Sequence, residues 1–123
     1  MFMGFPFIAM YGAVSNNQTL LQVAYDQCRL FRDALLVDTP NGPLWAHIYD
    51  DDSQSFSDRG TWASGNGWAA LGMQRIQAII SKSRFADSMS QQMNDLSVWT
   101  KEILDGAFQN LVSSLFVIQP SQC

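Results

Sequence analysis

Two stretches of this chain are apolar on nearly every side, two are apolar along one side only, and the two kinds alternate. Pro6 to Ser15 and Trp68 to Ser81 are the first kind. A helix without a polar face must be covered from several directions, so both are expected to lie inside a helical layer. Pro6 suits a first helical turn, and Ala69, Ala70 and Gly72 permit close helix packing. The other two stretches are amphipathic. From about Gln18 to Val37, Leu20, Ala24, Cys28, Phe31 and Leu35 recur at spacings of three and four, while Gln22, Asp26, Arg29 and Asp33 line the opposite side. From about Ala86 to Leu115, Met89, Met93, Leu96, Ile103, Ala107 and Leu111 form a second stripe, with Gln91, Asp95, Glu102 and Gln109 among the polar positions. Inner, outer, inner, outer is the repeat of an α/α toroid. The expected fold is therefore all-α, about two helical hairpins of a toroid, with residues 1–123 as one unit.

The connecting segments carry the chemistry. Asp38-Thr39-Pro40-Asn41-Gly42-Pro43 is turn sequence that stops the second helix, Leu44 to Tyr49 reads as a short extended piece, and a polar, acidic loop runs on to Gly60. Trp62-Ala63-Ser64-Gly65-Asn66-Gly67-Trp68 then sets two indoles around a glycine-hinged polar turn at the start of an apolar helix. Indole faces suit the apolar faces of pyranose rings, glycine lets backbone approach a ligand, and asparagine both donates and accepts hydrogen bonds. Residue type alone leaves a second reading open, in which Gly-Asn-Gly is only a turn and both tryptophans are core.

Longer strings narrow this. WASGNGWAALGMQR resembles the WA-(R/T/S)-GNGW-A-A-x-G-M-x-R signature of the unsaturated uronyl hydrolases, six-hairpin glycosidases of glycoside hydrolase family 105 related to family 88, and fungal members in particular. FMGFPFIAMYGAVSNNQTLLQVAYDQCRLFRDAL is similar to the same family's first helix pair, and GPLWAHIYD to its GLWxHI hairpin; together the matches span most of residues 1–112. The resemblance implies a barrel of six hairpins, of which this chain holds about two. It also implies inner helices that run parallel, so that the segments at Met1 to Phe5 and Ser64 to Gly67 open on one face. Helix N-termini there suit a carboxylate-bearing sugar.

The implied reaction hydrates the enol-ether bond of a 4,5-unsaturated uronic acid left by a lyase, giving a hemiacetal that falls apart. It needs one carboxylic acid of raised pKa, not the paired carboxylates of direct displacement. The family's aspartate precedes the segment matching Phe2-Met3; Met1 stands there in this sequence. No catalytic residue is therefore assigned, and low or absent activity is expected of residues 1–123 alone. By the same resemblance His47, Trp62, Asn66 and Trp68 are expected to contact substrate, with Met3, Phe2 and Phe5 in the pocket wall. Ser64 stands where many relatives carry an arginine that grips the substrate carboxylate. On residue type alone, His47 reads as structural, Phe2, Met3 and Phe5 as ordinary core, and Asp50, Asp51, Asp52 and Asp58 as a solvated charge run. Tyr11, Tyr25, Trp99 and Phe108 are assigned to packing.

Composition bounds the alternatives. A chain of 123 residues, 47% hydrophobic, forms one modest domain, and a net charge of −4 with seven Lys and Arg argues against nucleic acid, whose phosphates are met by basic residues. Cys28 and Cys123 lack metal-ligand spacing, and the Asp50 to Asp58 stretch lacks the glycine and terminal glutamate of a calcium loop, so no metal or other cofactor is expected. The apolar N-terminus is shorter than the roughly 20 residues of a membrane span and contains Pro6, so no membrane partner is expected either. The expected partner is an oligosaccharide ending in an unsaturated uronic acid, with self-association through uncovered apolar helices. The full-length relative is expected to be secreted, in which case Asn17-Gln18-Thr19 fits a glycosylation sequon. A reading from another class also stands at this point: a non-catalytic helical remnant that binds sugar or oligomerises.

Overall fold

The computed structural model describes residues 4–117, with side chains through residue 115. Four helices, α1 (Gly4–Val14), α2 (Gln18–Leu35), α3 (Ala63–Lys82) and α4 (Ser90–Val117), form two hairpins. Four short strands follow α2: β1 (Leu36–Thr39), β2 (Gly42–Trp45), β3 (Ile48–Asp50) and β4 (Ser55–Asp58). A 3-10 turn, Asp87–Met89, leads into α4.

The first hairpin closes sharply. Asn16 adopts a left-handed conformation after α1, and Asn17 caps α2 by accepting from the Leu20 amide. Gly12 lies so close to Leu20 and the Asn17 carbonyl that an added Cβ would sit 2.9 Å from the Leu20 Cβ. The antiparallel run brings Phe5, at the start of α1, to Phe31 near the end of α2, with ring centroids 5.4 Å apart. Phe5 thus packs on the core. Phe2 and Met3 lie outside the described residues.

The expected pairing of α1 with α3 is present, and α3 packs in turn on α4. Leu21, Ala24, Cys28 and Leu35 of α2, Ala9 of α1, Met73, Ile76 and Ile80 of α3, and Met89, Leu96 and Ile103 of the last hairpin form one continuous core. The expected α2 stripe is buried or half-buried throughout. The α4 stripe holds only as far as Ile103: Ala107 and Leu111 are exposed, because this half of α4 passes the end of the helical core and rests on β2 instead.

A ladder of side chains shows how the hairpins are set. Gln18 donates to Ser88, Gln92 to Gln22, Tyr25 to Asp95, and Arg32 grips Glu102 through two bonds of 2.9 Å; each pair is 70 residues apart. A constant offset means that partner number rises in step along both helices, so α2 and α4 run parallel. The steps of four, three and seven residues keep one face of each helix in contact. Tyr25 also stacks on Trp99, and the Arg32 guanidinium lies over the same indole. Tyr25 and Trp99 are packing residues as expected.

Three features differ from the sequence reading. The Gly-Asn-Gly segment is not a turn: α3 begins at Ala63, so Ser64 to Gly67 are its first turn. The Leu44 to Tyr49 piece splits between two separate two-stranded sheets, and the acidic loop is a hairpin, with β3 pairing antiparallel to β4. Alternation of Tyr49 and Phe56 across that ladder, their rings 5.2 Å apart edge to face, supplies the pairing that a run of aspartates conceals. Finally, Tyr11 and Phe108 are exposed among the described residues. Tyr11 belongs to an open face of α1 with Phe7, 72% exposed, Met10 and Val14; Phe108 lies with Leu104, Leu111 and Leu115 on a bare stripe of α4. The burial that the apolar α1 requires is met on one side only.

A candidate carbohydrate site at the start of the inner helices

Both strand hairpins gather at the end of the layer where α1 and α3 begin. The β1–β2 turn is set by its own residues: Thr39 Oγ1 accepts from the Asn41 amide and donates to the Gly42 carbonyl at 2.6 Å, and Gly42 takes a φ of +114°, open to glycine. Asn110 and Ser113 of α4 hold this turn through Thr39 and Asn41. Gly106 of α4 lets β2 approach so closely that an added Cβ would overlap the Pro43 carbonyl.

Asn66 joins this hairpin to α3. It is 3% exposed; its Oδ1 accepts from the Trp45 amide at 2.9 Å, and its Nδ2 donates to the carbonyls of Trp45 and Trp62 at 2.9 and 3.1 Å. With one acceptor and two donors engaged, the amide acts as a bracket between α3 and β2. The bracket explains why two glycines are tolerated in a helical turn, since the backbone there is fixed from outside. Asn66 thus fixes the Trp45 backbone, two residues before His47.

His47 is exposed, and its Nδ1 lies 2.9 Å from Asp58 Oδ2. Trp62 Nε1 donates to that same oxygen at 3.1 Å, and the Gly60 amide donates to Oδ1 at 2.8 Å. The rings of His47 and Trp62 stand 5.2 Å apart at 39°. These donors, the Gly60 N–H foremost and then His47, hold Asp58 below the usual carboxylate range. An ionised carboxylate only accepts, so Nδ1 of His47 is the donor in this pair, and Nε2 has no hydrogen-bond partner among the described residues. Asp58 is the residue that sequence reasoning missed by grouping it with Asp50, Asp51 and Asp52. The available signal was its spacing: four residues before Trp62 and at the end of a strand whose partner begins one residue after His47.

An open groove of about 960 Å³ adjoins His47, between the C-terminal half of α2 and the β3–β4 hairpin, with Leu30, Phe31, Tyr49, Asp51 and Phe56 among its walls. Trp62 is 56% exposed on the other side of the imidazole. Ser64 and Trp68, four residues apart on α3, share a second exposed face, with Trp68 53% exposed. The structure therefore joins His47, Trp62 and Asp58 in one cluster, places Asn66 behind it, and sets Ser64 and Trp68 on a neighbouring helical stripe. Met3 lies outside the described residues. Among those residues no group of three or more His, Cys, Asp or Glu could hold a metal ion, and no helix is long and apolar enough to cross a membrane.

Stacked helical hairpins that present indoles and an imidazole where their inner helices start are the build of an α/α-toroid glycosidase. The chain belongs to Glycosyl Hydrolase Family 88, whose family model matches residues 1–119. No curated protein and no solved structure gave a match.

Proposed function

We propose that this chain forms a substrate-binding wall of an unsaturated uronyl hydrolase, similar to fungal, secreted members of family 105 that degrade lyase-derived polysaccharide fragments. The observation that carries the reading is the His47–Asp58–Trp62 cluster beside an open groove: an oriented imidazole with a free Nε2, next to an exposed indole face. That pairing suits a ring with one apolar face and a polar edge. The wider site takes in Trp68 and Ser64 on α3 and the segment around Met3.

Protonating the enol ether requires a carboxylic acid that keeps its proton near neutral pH. Asp58 is driven the other way by its three donors. By the family resemblance the acid is assigned just before the segment matching Phe2-Met3, with Met1 intervening in this sequence. The chain should bind a 4,5-unsaturated uronyl disaccharide in a calorimetric titration, and His47→Ala should abolish that binding. Residues 1–123 should leave the ultraviolet absorbance of the conjugated double bond unchanged, since general acid catalysis is worth about 10²–10⁴-fold and Asp58, held below the usual carboxylate range, does not supply it. Joining residues 1–123 to an upstream aspartate and further hairpins should create turnover. Robust turnover by residues 1–123 alone, lost in His47→Ala, would overturn the assignment of the acid.

A further inference from the structure

A cation beside a uronate strengthens its binding, and this end of the molecule is acidic. From residue 34 to residue 73 the chain carries five aspartates, Asp38, Asp50, Asp51, Asp52 and Asp58, against a single Lys or Arg, Arg59. Asp50 is bound into its own turn by Ser53 and the Asp52 amide, and Asp58 is met by His47, Gly60 and Trp62. Arg59 is placed differently. It follows Asp58 directly, is exposed, forms no salt bridge among the described residues, and holds its guanidinium 5.4 Å from the centroid of Phe56, a wall of the groove that His47 also lines. The aromatic face orients the guanidinium while leaving its N–H edge for an anion. The arginine of the α3 stripe, Arg75, stands two turns beyond Trp68.

We infer that Arg59 is the carboxylate-gripping residue of this site, holding an anionic sugar at the groove mouth between its guanidinium and His47, the task that Ser64 cannot perform. The inference rests on the carbohydrate reading above and deepens it by assigning the charge recognition. Two parallel N–H···O bonds from a guanidinium fit a carboxylate, whereas the hydroxyl of Ser64 offers one donor without charge. Recognition of this kind is selective for the acid over its ester and weakens with salt.

The test is a calorimetric titration of the chain with an unsaturated glucuronyl disaccharide and, separately, with its carboxyl methyl ester. Arg59→Gln should weaken binding of the acid about tenfold, as expected for loss of a hydrogen bond to a charged group, and leave the ester unchanged. Arg59→Lys should retain part of the affinity. Lys82→Gln removes an equal charge about 24 Å along α3 from Asn66, more than two Debye lengths away at about 0.1 M salt, and should change nothing. Binding of the acid that Arg59→Gln leaves intact, or equal loss of acid and ester, would overturn the role of Arg59 while the carbohydrate reading stands. So would a drop in affinity in Arg75→Gln with none in Arg59→Gln. Failure of the parent chain to bind either ligand would overturn both.

Discussion

The single side chain on which most of the site depends is Asn66. Truncation to alanine removes three hydrogen bonds that tie α3 to β2 and to its own start, those of Asn66 to the Trp45 amide, the Trp45 carbonyl and the Trp62 carbonyl. A hydrogen bond contributes about 0.5–1.5 kcal/mol net, so Asn66→Ala should lower stability by about 2–4 kcal/mol in urea unfolding, and a loss under 1 kcal/mol would contradict the bracket. The sequence showed that Asn66 belonged to a special segment but not which way it faced. An amide that serves a ligand and one that serves backbone read alike until the partner backbone is placed, and Trp45 is 21 residues away. Asp58 was hidden for a related reason, because a carboxylate in an acidic run declares itself only when its donors arrive from elsewhere. Buried titratable groups give a second prediction at this scale. Burial pushes the Cys28 thiol up to about 12, and burial followed by the bond to Asp95 pushes the Tyr25 phenol up to about 12. Both folded-state values are raised, so the stability they contribute is whole below the unfolded values near 9 and 10 and is lost as pH rises toward 12. Circular dichroism should record unfolding over that window, and Cys28→Ala with Tyr25→Phe should flatten it.

At the level of elements, the helices were legible, and of the strands only the extended Leu44 to Tyr49 piece was. A stripe such as Leu20, Ala24, Cys28, Phe31 and Leu35 is a repeated signal, and α2 buries it. Strands of three or four residues repeat too little to be read, and β3 and β4 are joined by a turn of aspartate, serine and glutamine that looks solvated on either reading. The α3 start was misplaced because Gly65 and Gly67 favour turns locally, while Asn66 and β2 fix them as helix from outside. Two glycine substitutions separate these effects. Gly106→Ala would drive a methyl into the Pro43 carbonyl and should cost about 1–3 kcal/mol as β2 is forced off α4. Gly67→Ala meets open space on a helical backbone and should stabilise by about 0.5–1 kcal/mol. Equal effects in thermal denaturation would contradict the close approach of β2 to α4.

For the whole molecule, alternation of apolar and amphipathic segments was enough to give the toroid layer, since it states which helices are covered and which face water. The 70-residue ladder between α2 and α4 was not legible, because Gln, Asp, Arg and Glu on a helix surface look like solvated positions until a parallel partner meets them. The same layer leaves Phe7, Met10, Tyr11 and Val14 of α1 and Leu104, Phe108, Leu111 and Leu115 of α4 uncovered. Apolar surface of that extent drives association, so light scattering should find the chain in multimers that dissociate when Phe7 and Phe108 are both changed to lysine. A monodisperse monomer would count against these faces as contact surfaces.

The central claim, that this end of the layer receives a uronyl sugar at His47, has a direct probe because His47 is the chain's only histidine. Its ring protons give one isolated pair of nuclear magnetic resonance signals. Titration with an unsaturated uronyl disaccharide should move that pair saturably, with the Trp62 indole N–H moving at the same ligand concentrations. Signals of His47 and Trp62 that stay in place at saturating disaccharide would contradict the account.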